Sequence, residues 1–335
     1  MRLSEPQSNP NSPCPARREQ GVALISMLLI FSLVVILVST AVNRTSYDIR
    51  KTSYYLLNSQ AYQYALGGEE LARQILYADW LNDQKLGQGD YLAESWQMEN
   101  LFEPEGGLIQ IHLHDLNSRF NLNNLVDSNG QPEQDAIKQF QRLAGELKLT
   151  QDHIAAIVDW LDSDTQPQTA NSEDVFFLSR DNAYRSADGP MSDTSELNAL
   201  DIFKPDQLER LLQVVVALPS GTSINPNTAN EAVLNSLAPE LSGAKIIAER
   251  QLMPQGFTSN EAFLQHDVTN DVDLSHTNLN VHSEYFQASI VARFQEHTTY
   301  LTSLLYRNPS TGAVTTLQRS QMRPHEALTD TSNTL

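Results

Sequence analysis

The hydrophobic positions of this chain first form one long uncharged block and then follow a helical repeat. Val22 to Val42 contains no charged residue, and a helix of that length spans roughly 30 Å, the hydrocarbon thickness of a bilayer. Apolar residues then recur at helical spacing to about Trp80, although Gly67 and Gly68 interrupt the pattern. The pattern predicts a membrane helix, 22–42, that continues as an amphipathic helix. A buried core helix and a secretory signal are the alternatives, and the block is long for a signal.

Alternation of apolar and polar residues predicts β-strands in two separate parts of the chain. The stretch "GLIQIHLHDL" alternates in the manner of a half-buried strand. Three further strand patterns follow much later, in "EYFQASIVARF", in "TTYLTSLLYR" and, after the turn "NPSTG", in "AVTTLQRS". Helical and loop patterns occupy the residues between these two parts. The simplest arrangement is one antiparallel sheet interrupted by a helical insertion.

These patterns predict an α+β fold, with the long N-terminal helix packed on an antiparallel sheet and a large inserted α-helical domain. The predicted bounds are 43–120 and 275–322 for the α/β body, 121–274 for the inserted domain and 323–335 for a disordered tail. Helical spacing within the insertion is clearest in "QDAIKQFQRLAGELKL" and "TQDHIAAIVDWL", where Thr150 is a candidate N-cap.

Composition and charge exclude several classes of function. The chain has 22 basic and 41 acidic residues, a net charge of -19, which repels a phosphate backbone and disfavours a nucleic-acid partner. Its one cysteine, Cys14, lies before the apolar block and excludes a disulfide framework. The sequence has no G-x-S-x-G, P-loop or H-E-x-x-H motif. We therefore expect a protein that is not an enzyme, and a membrane-anchored hydrolase with an unfamiliar constellation of residues is the alternative.

The most acidic stretch, Asp159 to Asp206, contains a candidate cation site. Asp162 and Asp164 occupy alternate positions of a predicted loop, and Glu173 and Asp174 follow beyond a proline-containing turn. Oxygen-rich loops suit Ca²⁺, which accepts six to eight oxygen ligands in loose geometry. The glycine and the spaced terminal glutamate of an EF-hand are missing, so an acidic solvated loop without a metal is the alternative.

Residues 222–264 resemble the helix-hairpin-helix pattern of DNA-binding competence proteins. The similarity lies in "SINPNTANEAVLNSL" and "SGAKIIAERQLMPQGFTSNEAFL". Such hairpins bind phosphate through glycine-rich amides, whereas the stretch between the helices here, "APELSG", has one glycine and adds Glu240. We expect the scaffold without the phosphate binding. A membrane-anchored DNA-uptake receptor is the alternative function.

The N-terminal sequence resembles a class III signal. The leader ends in "ARREQG" and is followed directly by "VALISMLLIFSLVVILVSTAV", as in the type IV pilin and type II secretion pseudopilin families. The resemblance implies that residues 1–21 are a leader removed by prepilin peptidase after Gly21, and that Val22 becomes the N-methylated first residue. Residues 22–42 would remain as a single-pass inner-membrane anchor, with the N-terminus cytoplasmic and the bulk of the chain periplasmic.

Ser26 departs from the common pattern of these families. Most members have glutamate at the fifth mature position, where its carboxylate is thought to neutralise the terminal amine of a neighbouring subunit. An unpaired ammonium in lipid is costly, which explains the pairing. The departure resembles the minor pseudopilin K family, proposed to lie at the tip of the pseudopilus with no subunit above it. A small serine that is merely tolerated in an anchor helix is the alternative interpretation.

Further segments are similar to the pseudopilin K family, namely "LNSRFNLNNLV", "IVDWLDSDTQP" followed by "SEDVFFL", and "SINPNTANEAVLNSL". The resemblance implies a pilin-like body that carries a large α-domain, and a calcium site at Asp162, Asp164, Glu173 and Asp174. It also implies partner pseudopilins I and J, contact with exported substrates, and a role in pseudopilus assembly and in the export of folded proteins across the outer membrane. A type IV pilus minor pilin is an alternative that the helical insertion disfavours.

Overall fold

The computed structural model describes residues 19–169, 172–180 and 182–322. Most of the predicted leader and the predicted disordered tail, 323–335, lie outside the described residues. The described chain forms two compact units, of which the first ends at Ser59 and the second begins at Gln60.

The described residues form nine α-helices and seven β-strands, joined by loops and short 3-10 turns. The helices are α1 (Glu19–Leu86), α2 (Gln134–Glu146), α3 (Gln151–Leu161), α4 (Glu173–Phe177), α5 (Leu197–Leu200), α6 (Pro205–Leu212), α7 (Glu231–Leu237), α8 (Gly243–Leu252) and α9 (Asn260–Leu264). The strands are β1 (Asn100–Phe102), β2 (Gly107–Asp115), β3 (Phe120–Asn121), β4 (Val215–Val216), β5 (Tyr285–Phe294), β6 (His297–Arg307) and β7 (Val314–Ser320).

The helix α1 is longer than the apolar spacing predicted. It continues past Trp80 to Leu86, and the chain then leaves the helix at Gly87, whose φ of 65° is in the left-handed region. The Gly87 amide donates to the Asp83 carbonyl at 2.8 Å. A glycine in this conformation is a common C-terminal cap, because a side chain would strain the backbone there.

Five strands form an antiparallel sheet in the order β1-β2-β5-β6-β7. The strands β2 and β5 are neighbours although a long helical segment separates them in sequence, and Asp115 at the end of β2 lies opposite Phe286. All four predicted strand patterns are present in the sheet, and the α+β fold class is confirmed. The three-residue edge strand β1 was not predicted, because it is too short to show alternation.

The second half of α1 packs on this sheet. Ala65, Ala72 and Leu76 are buried in one core with side chains from β2, β5 and β6. At Gly68 a Cβ atom would lie 2.8 Å from Cγ2 of Ile109 and 2.9 Å from Cγ2 of Ile290, whereas at Gly67 it would meet nothing within 4 Å. Gly68 therefore permits a close contact between helix and sheet, and α1 continues unbroken through both glycines.

The segment between β2 and β5 has its own core, in which Phe120 stacks on Phe140 and α2 packs against α7. It is not entirely helical, because β3 pairs in parallel with β4. These two-residue strands are too short to produce a sequence pattern. The bounds predicted for the inserted domain stay a prediction.

Buried asparagines tie this segment together. Asn121 and Leu218 exchange a reciprocal pair of hydrogen bonds, in which the Leu218 amide donates to Oδ1 at 2.9 Å and Nδ2 donates to the Leu218 carbonyl at 3.1 Å. Asn123 and Met191 form a similar pair at 2.8 and 2.9 Å. A side-chain amide can satisfy backbone groups of an irregular loop as a neighbouring strand would. The asparagines of "LNSRFNLNNLV" thus hold the loops before β4 and after it.

Candidate functional site

The first candidate site is the start of α1, where the sequence predicts processing. Gly21, Val22 and Ser26 all lie within the helix and are exposed. Among the residues that the structure describes, and apart from the neighbouring helix backbone, nothing lies within 4 Å of the position of a Cβ atom at Gly21. The Ser26 hydroxyl donates to the Val22 carbonyl at 2.9 Å, as serine commonly does within an apolar helix. Position 26 is therefore satisfied internally and carries no charge.

The apolar side chains of α1 from Val22 to Val42 are exposed along the helix; Val22 is 65% exposed and Phe31 is 66% exposed. Among the described helices, α1 is the one that is long and apolar enough to cross a membrane. A continuous exposed apolar surface of this size needs lipid or protein to cover it. This segment is a candidate membrane span.

The second candidate site lies at the end of α3. Thr150 is the N-cap, as predicted, and its amide donates to Nδ1 of His153 at 3.1 Å. The helix ends at Leu161, so that Asp159 points from its last turn and Asp162 follows it directly. Both aspartates are buried. Helical geometry thus brings two carboxylates to the start of the acidic loop.

Three buried carboxylate oxygens in this region have no hydrogen-bond partner among the described residues. They are Oδ1 of Asp159, Oδ1 of Asp162 and Oδ1 of Asp188. The other oxygen of Asp159 is satisfied, since it accepts from the Gln168 amide at 2.8 Å and from the Ser172 hydroxyl. Buried polar atoms are rarely left unpaired, so these oxygens suggest a ligand.

The raised pKa of Asp162 also indicates a ligand at this position. Burial, followed by repulsion from Asp164, Asp159 and Asp188, raises the pKa of Asp162 to about 6. Burial also raises the pKa of Asp159, although the Ser172 hydroxyl opposes the shift. Several carboxylates with unpaired oxygens form a donor set of the kind that Ca²⁺ binds. The donor set at the end of α3 therefore suits a calcium ion in its chemistry, but among the described residues no three of its carboxylates have oxygens within 4.8 Å of one another.

The predicted ligands are only partly brought together. Asp162 and Asp164 are near each other, but Asp164 is exposed and its Oδ1 accepts from the Gln166 amide at 2.7 Å. The carboxylate of Asp174 contacts another part of the loop, where its Oδ1 accepts from the Ser186 amide at 3.0 Å. Glu173 begins α4, and its side chain lies outside the described part of the structure. No finding tests these four residues as ligands, and they stay a prediction.

Sequence reasoning missed Asp188 as a candidate. Its φ of 45° is in the left-handed region, and it lies in the stretch "ADGP", which contains a strong turn signal. A turn of this kind can bring a carboxylate back towards a helix that ended many residues earlier. From the sequence, Asp159 is as well suited to capping or pairing as to binding a metal, and its unpaired Oδ1 favours the role of a ligand.

The third candidate site is the helical hairpin of α7 and α8. The Gly243 amide donates to Oδ1 of Asn235 at 2.7 Å. A Cβ atom at position 243 would lie 2.5 Å from the Glu231 carbonyl oxygen, so this glycine permits close packing of the two helices. The amide that could bind a phosphate is thus already used by a side chain of the preceding helix.

Comparison with known proteins identifies relatives over most of the chain. Residues 118–220 match the family described as type II secretion system (T2SS), protein K. A type II secretion system protein K from Pseudomonas aeruginosa is 33% identical over 87% of this chain and 90% of its own length. Those from Klebsiella pneumoniae and Pectobacterium carotovorum are 32% and 30% identical over 83% and 86% of this chain, and over 91% and 93% of their own lengths.

A solved structure has the same fold. One chain of the crystal structure of the GspK-GspI-GspJ complex, from the type 2 secretion system of enterotoxigenic Escherichia coli, superposes with a TM-score of 0.71. The alignment covers 82% of this chain and 100% of that chain, at 24% sequence identity.

Proposed function

This chain belongs to the type II secretion system protein K family, the minor pseudopilins of that system, and on that premise we propose that it lies at the tip of the pseudopilus. Its role there is assembly of the pseudopilus and export of folded proteins across the outer membrane, with no catalytic step of its own. Pseudopilins I and J are its partners. The likeness to a chain from a GspK-GspI-GspJ complex supports this choice of partners.

The observation that carries the proposal is the exposed apolar surface of α1 from Val22 to Val42. In lipid this surface is covered, and the backbone hydrogen bonds of a helix are satisfied internally. Small residues such as Ser32, Ser39 and Ala41 allow other helices to approach closely. The segment therefore suits an anchor in the inner membrane that also packs against the helices of partner subunits.

Processing after Gly21 would leave this anchor in the mature protein. The open surroundings of Gly21 support access by prepilin peptidase, and Val22 would then be the methylated first residue. The leader would lie on the cytoplasmic side, and the sheet and helical segment on the periplasmic side.

The first experiment measures intact mass and the N-terminal sequence of the full chain, extracted from membranes with and without prepilin peptidase. The expected result is a terminus at N-methyl-Val22 that depends on the peptidase. A retained leader, or cleavage after Val42, would contradict the proposed processing.

Purification with pseudopilins I and J tests where this subunit lies in the pseudopilus, since a tip subunit is expected to form a stable complex with both.

Ser26→Glu tests the tip position. A tip subunit has no neighbour above it whose terminal amine needs a carboxylate, so Ser26 needs no charge. Because glutamate occupies this position in most related anchors, we expect the variant to enter the membrane as the parent does. The measurement is the fraction of full-length protein in the membrane pellet after carbonate washing. Loss of insertion would remove the basis of the argument from Ser26.

We further propose that the loop after α3 binds Ca²⁺. The residues that would hold the ion are Asp159, Asp162, Asp164 and Asp188, while Asp174 and Glu173 remain candidates from the sequence. When bound, the ion supplies positive charge that neutralises the buried carboxylates and stabilises the loop. The support is the set of buried oxygens without partners.

Thermal unfolding of the full chain in detergent tests this calcium site. Ca²⁺ added to chelator-treated protein is expected to raise Tm, because a ligand that binds the folded state stabilises it. Asp162→Asn should make the rise smaller, whereas the exposed control Asp271→Asn should retain it in full. An equal rise in both variants would contradict a site at Asp162.

A DNA-uptake receptor is the alternative from a different class. The hairpin argues against it, because the Gly243 amide is bonded to Asn235 and the chain carries a net charge of -19. Salt-dependent binding of duplex DNA by the full chain would support this alternative, whereas the proposal predicts no such binding.

A further inference from the structure

Four carboxyl groups meet at the end of α1, remote in sequence from the loop after α3. They are Asp79 and Asp83 of α1, and Asp90 and Glu94 of the segment that follows it, and we call them the carboxylate cluster. Their exposed fractions are 8%, 3%, 0% and 6% in the same order. One oxygen of each lies within 4.8 Å of one oxygen of every other member. So many buried acidic groups at this distance require compensating charge.

Arg307, at the end of β6, supplies part of that charge. Its Nη1 lies 3.0 Å from Oδ2 of Asp79, and its Nη2 lies 2.5 Å from Oδ1 of Asp90. In the ranges that the structure describes, no other basic side chain forms an ion pair with the cluster. One guanidinium against four carboxylates leaves three negative charges when all four are ionised.

Gln88 gives a second and independent indication. Its side chain is 3% exposed, and its Nε2 donates to Oδ1 of Asp83 at 3.3 Å. Its Oε1 is buried and accepts no hydrogen bond from the described residues. The Gln88 side-chain amide therefore reaches the cluster at Asp83, and its carbonyl oxygen is a buried acceptor without a donor among the described residues. A buried amide oxygen next to carboxylates is a ligand that hard cations accept.

The surroundings hold the carboxyl groups in position. Oε2 of Glu94 accepts from Nε1 of Trp96 at 2.6 Å and from the Tyr91 amide at 3.0 Å. Oδ2 of Asp90 accepts from the Ser283 amide at 2.7 Å. Hydrogen bonds of this kind orient the ligands of a metal before it binds.

We propose that the carboxylate cluster binds one hard divalent cation of the Ca²⁺ class, with the Gln88 carbonyl as an additional ligand. Oxygen ligands lie 2.3–2.6 Å from Ca²⁺, so two ligands on opposite sides of the ion are about 5 Å apart. The separations within the cluster meet this limit without rearrangement. The ion reduces the charge of the cluster and its arginine from three negative to one.

The pKa values of the cluster are in keeping with missing positive charge. Burial, followed by repulsion from Asp90 and Asp83, raises the pKa of Asp79 to about 7. Burial and repulsion from Asp79 and Asp90 raise the pKa of Glu94 to about 9. A bound cation would lower both, because it favours the charged form of each carboxyl.

The site would fasten three parts of the fold together. Asp79 and Asp83 fix the last turns of α1, and Arg307 brings in the end of β6. Asn225 of the helical segment donates to the Asp90 carbonyl at 3.1 Å. A cation here therefore stabilises the point at which α1, the sheet and the helical segment meet, and it does so independently of the loop after α3.

Terbium luminescence tests the proposal in the full chain, in detergent. Tb³⁺ replaces Ca²⁺ at oxygen sites and emits when a nearby tryptophan is excited, and the indole of Trp96 lies against Glu94. Every protein in this test, including the parent, also carries Asp162→Asn. This change weakens the proposed calcium site in the loop after α3, which lies near Trp160. We expect emission that added Ca²⁺ displaces. Asp83→Asn should weaken Tb³⁺ binding at least about 10-fold, whereas Asp271→Asn should leave it unchanged.

Thermal unfolding of the same proteins shows whether Asp83→Asn weakens Tb³⁺ binding merely because it destabilises the fold. Without cations, Asp83→Asn is expected to be no less stable than its parent, because it removes one repelled carboxylate. With Ca²⁺, the parent should gain several degrees in Tm and Asp83→Asn should not. Equal Tb³⁺ binding and equal Ca²⁺ responses with and without Asp83→Asn would overturn the proposal. So would the absence of both signals in the parent, which would mean that protons alone compensate the cluster.

Discussion

Glu69 illustrates how a single buried charge positions α1 on the sheet. Its carboxylate accepts from the Ser303 hydroxyl at 2.6 Å, from two Arg319 nitrogens at 2.7 Å, and from the Thr316 hydroxyl at 2.9 Å. Burial alone would raise the pKa of Glu69, but the hydrogen bonds from Arg319, Ser303 and Thr316 outweigh it and lower the pKa. The charged form is therefore the one that the fold stabilises.

Glu69→Gln should destabilise the fold by about 2 kcal/mol at pH 7, because charge-assisted hydrogen bonds are lost from a buried site. This loss of unfolding free energy should become smaller below pH 4. A carboxyl group with a lowered pKa contributes stability above the ordinary glutamate pKa, and that stability disappears on acidification. Guanidinium unfolding of the full chain in detergent, followed by tryptophan fluorescence, measures the unfolding free energy at pH 7 and below pH 4.

Glu70→Gln is the matched control. Glu70 lies one position further along α1 and is exposed, and among the described residues it pairs with Arg73 and Gln74 on the helix surface. Such pairs contribute little, so the control should change the unfolding free energy by less than about 0.5 kcal/mol. Equal effects of the two substitutions would contradict a special role for Glu69.

At this scale the sequence predicts local groups better than distant ones. Asp162 and Asp164 are two residues apart and follow one helix end, so a sequence pattern can associate them. Arg307 and Asp79 are more than 200 positions apart, and nothing in either local sequence indicates the other. Their association depends on the strand order, which fixes where the end of β6 lies beside the end of α1.

The adjacent glycines of α1 give a test at the scale of elements. Gly68→Ala should destabilise the packing of helix on sheet by about 1–3 kcal/mol, since the added methyl would overlap two isoleucine side chains. Gly67→Ala should instead stabilise α1 by about 0.5–1 kcal/mol, because alanine favours helix and the site is open. Thermal unfolding of both variants measures the difference. Shifts in the same direction would contradict the described packing.

Among the elements, those with a long regular pattern were predicted and the short ones were not. The strand β2 alternates through Ile109, Ile111 and Leu113, and all three side chains are buried as the pattern indicates. By contrast, β3 and β4 are two residues each and are formed by tertiary pairing. The sequence alone does not distinguish a flexible point from a close packing contact at Gly68, because a pair of glycines reduces helix propensity whether or not something packs against it.

On the scale of the whole molecule, a buried polar network connects the end of β2 to the helical segment. Oδ2 of Asp115 accepts from the hydroxyls of Ser283, at 2.6 Å, and Thr228, at 2.5 Å. Asn225 donates to the Ser283 hydroxyl at 2.9 Å. Burial raises the pKa of Asp115 to about 6, against the hydrogen bonds from Ser283 and Thr228. At neutral pH this network therefore contains a charge that the fold only partly compensates.

The stability that Asp115 contributes should fall as pH rises from about 4 to about 6, because over this range the folded state binds more protons than the unfolded state. Relative to Asp115→Asn, the wild type should lose roughly 3 kcal/mol between pH 4 and pH 7. Denaturant unfolding of both proteins across this range measures the difference.

Asp273→Asn provides a comparison of opposite sign. The hydroxyl and amide of Ser275 lower the pKa of Asp273, so its contribution should be lost as pH falls. A difference between wild type and Asp115→Asn that does not vary with pH would show that Asp115 titrates as it does in the unfolded chain.

The adjacency of β2 and β5 has a consequence for the order of folding. Pairing Asp115 with Phe286 closes a loop of about 170 residues, and the entropy of that closure must be overcome before the strand pair contributes any stability. The intervening segment has its own core and brings its two ends together at Asn117 and Tyr285, where the Asn117 side chain accepts from the Tyr285 amide at 2.9 Å. We therefore expect that segment to form first, so that the central strand pair closes late and with its ends already aligned.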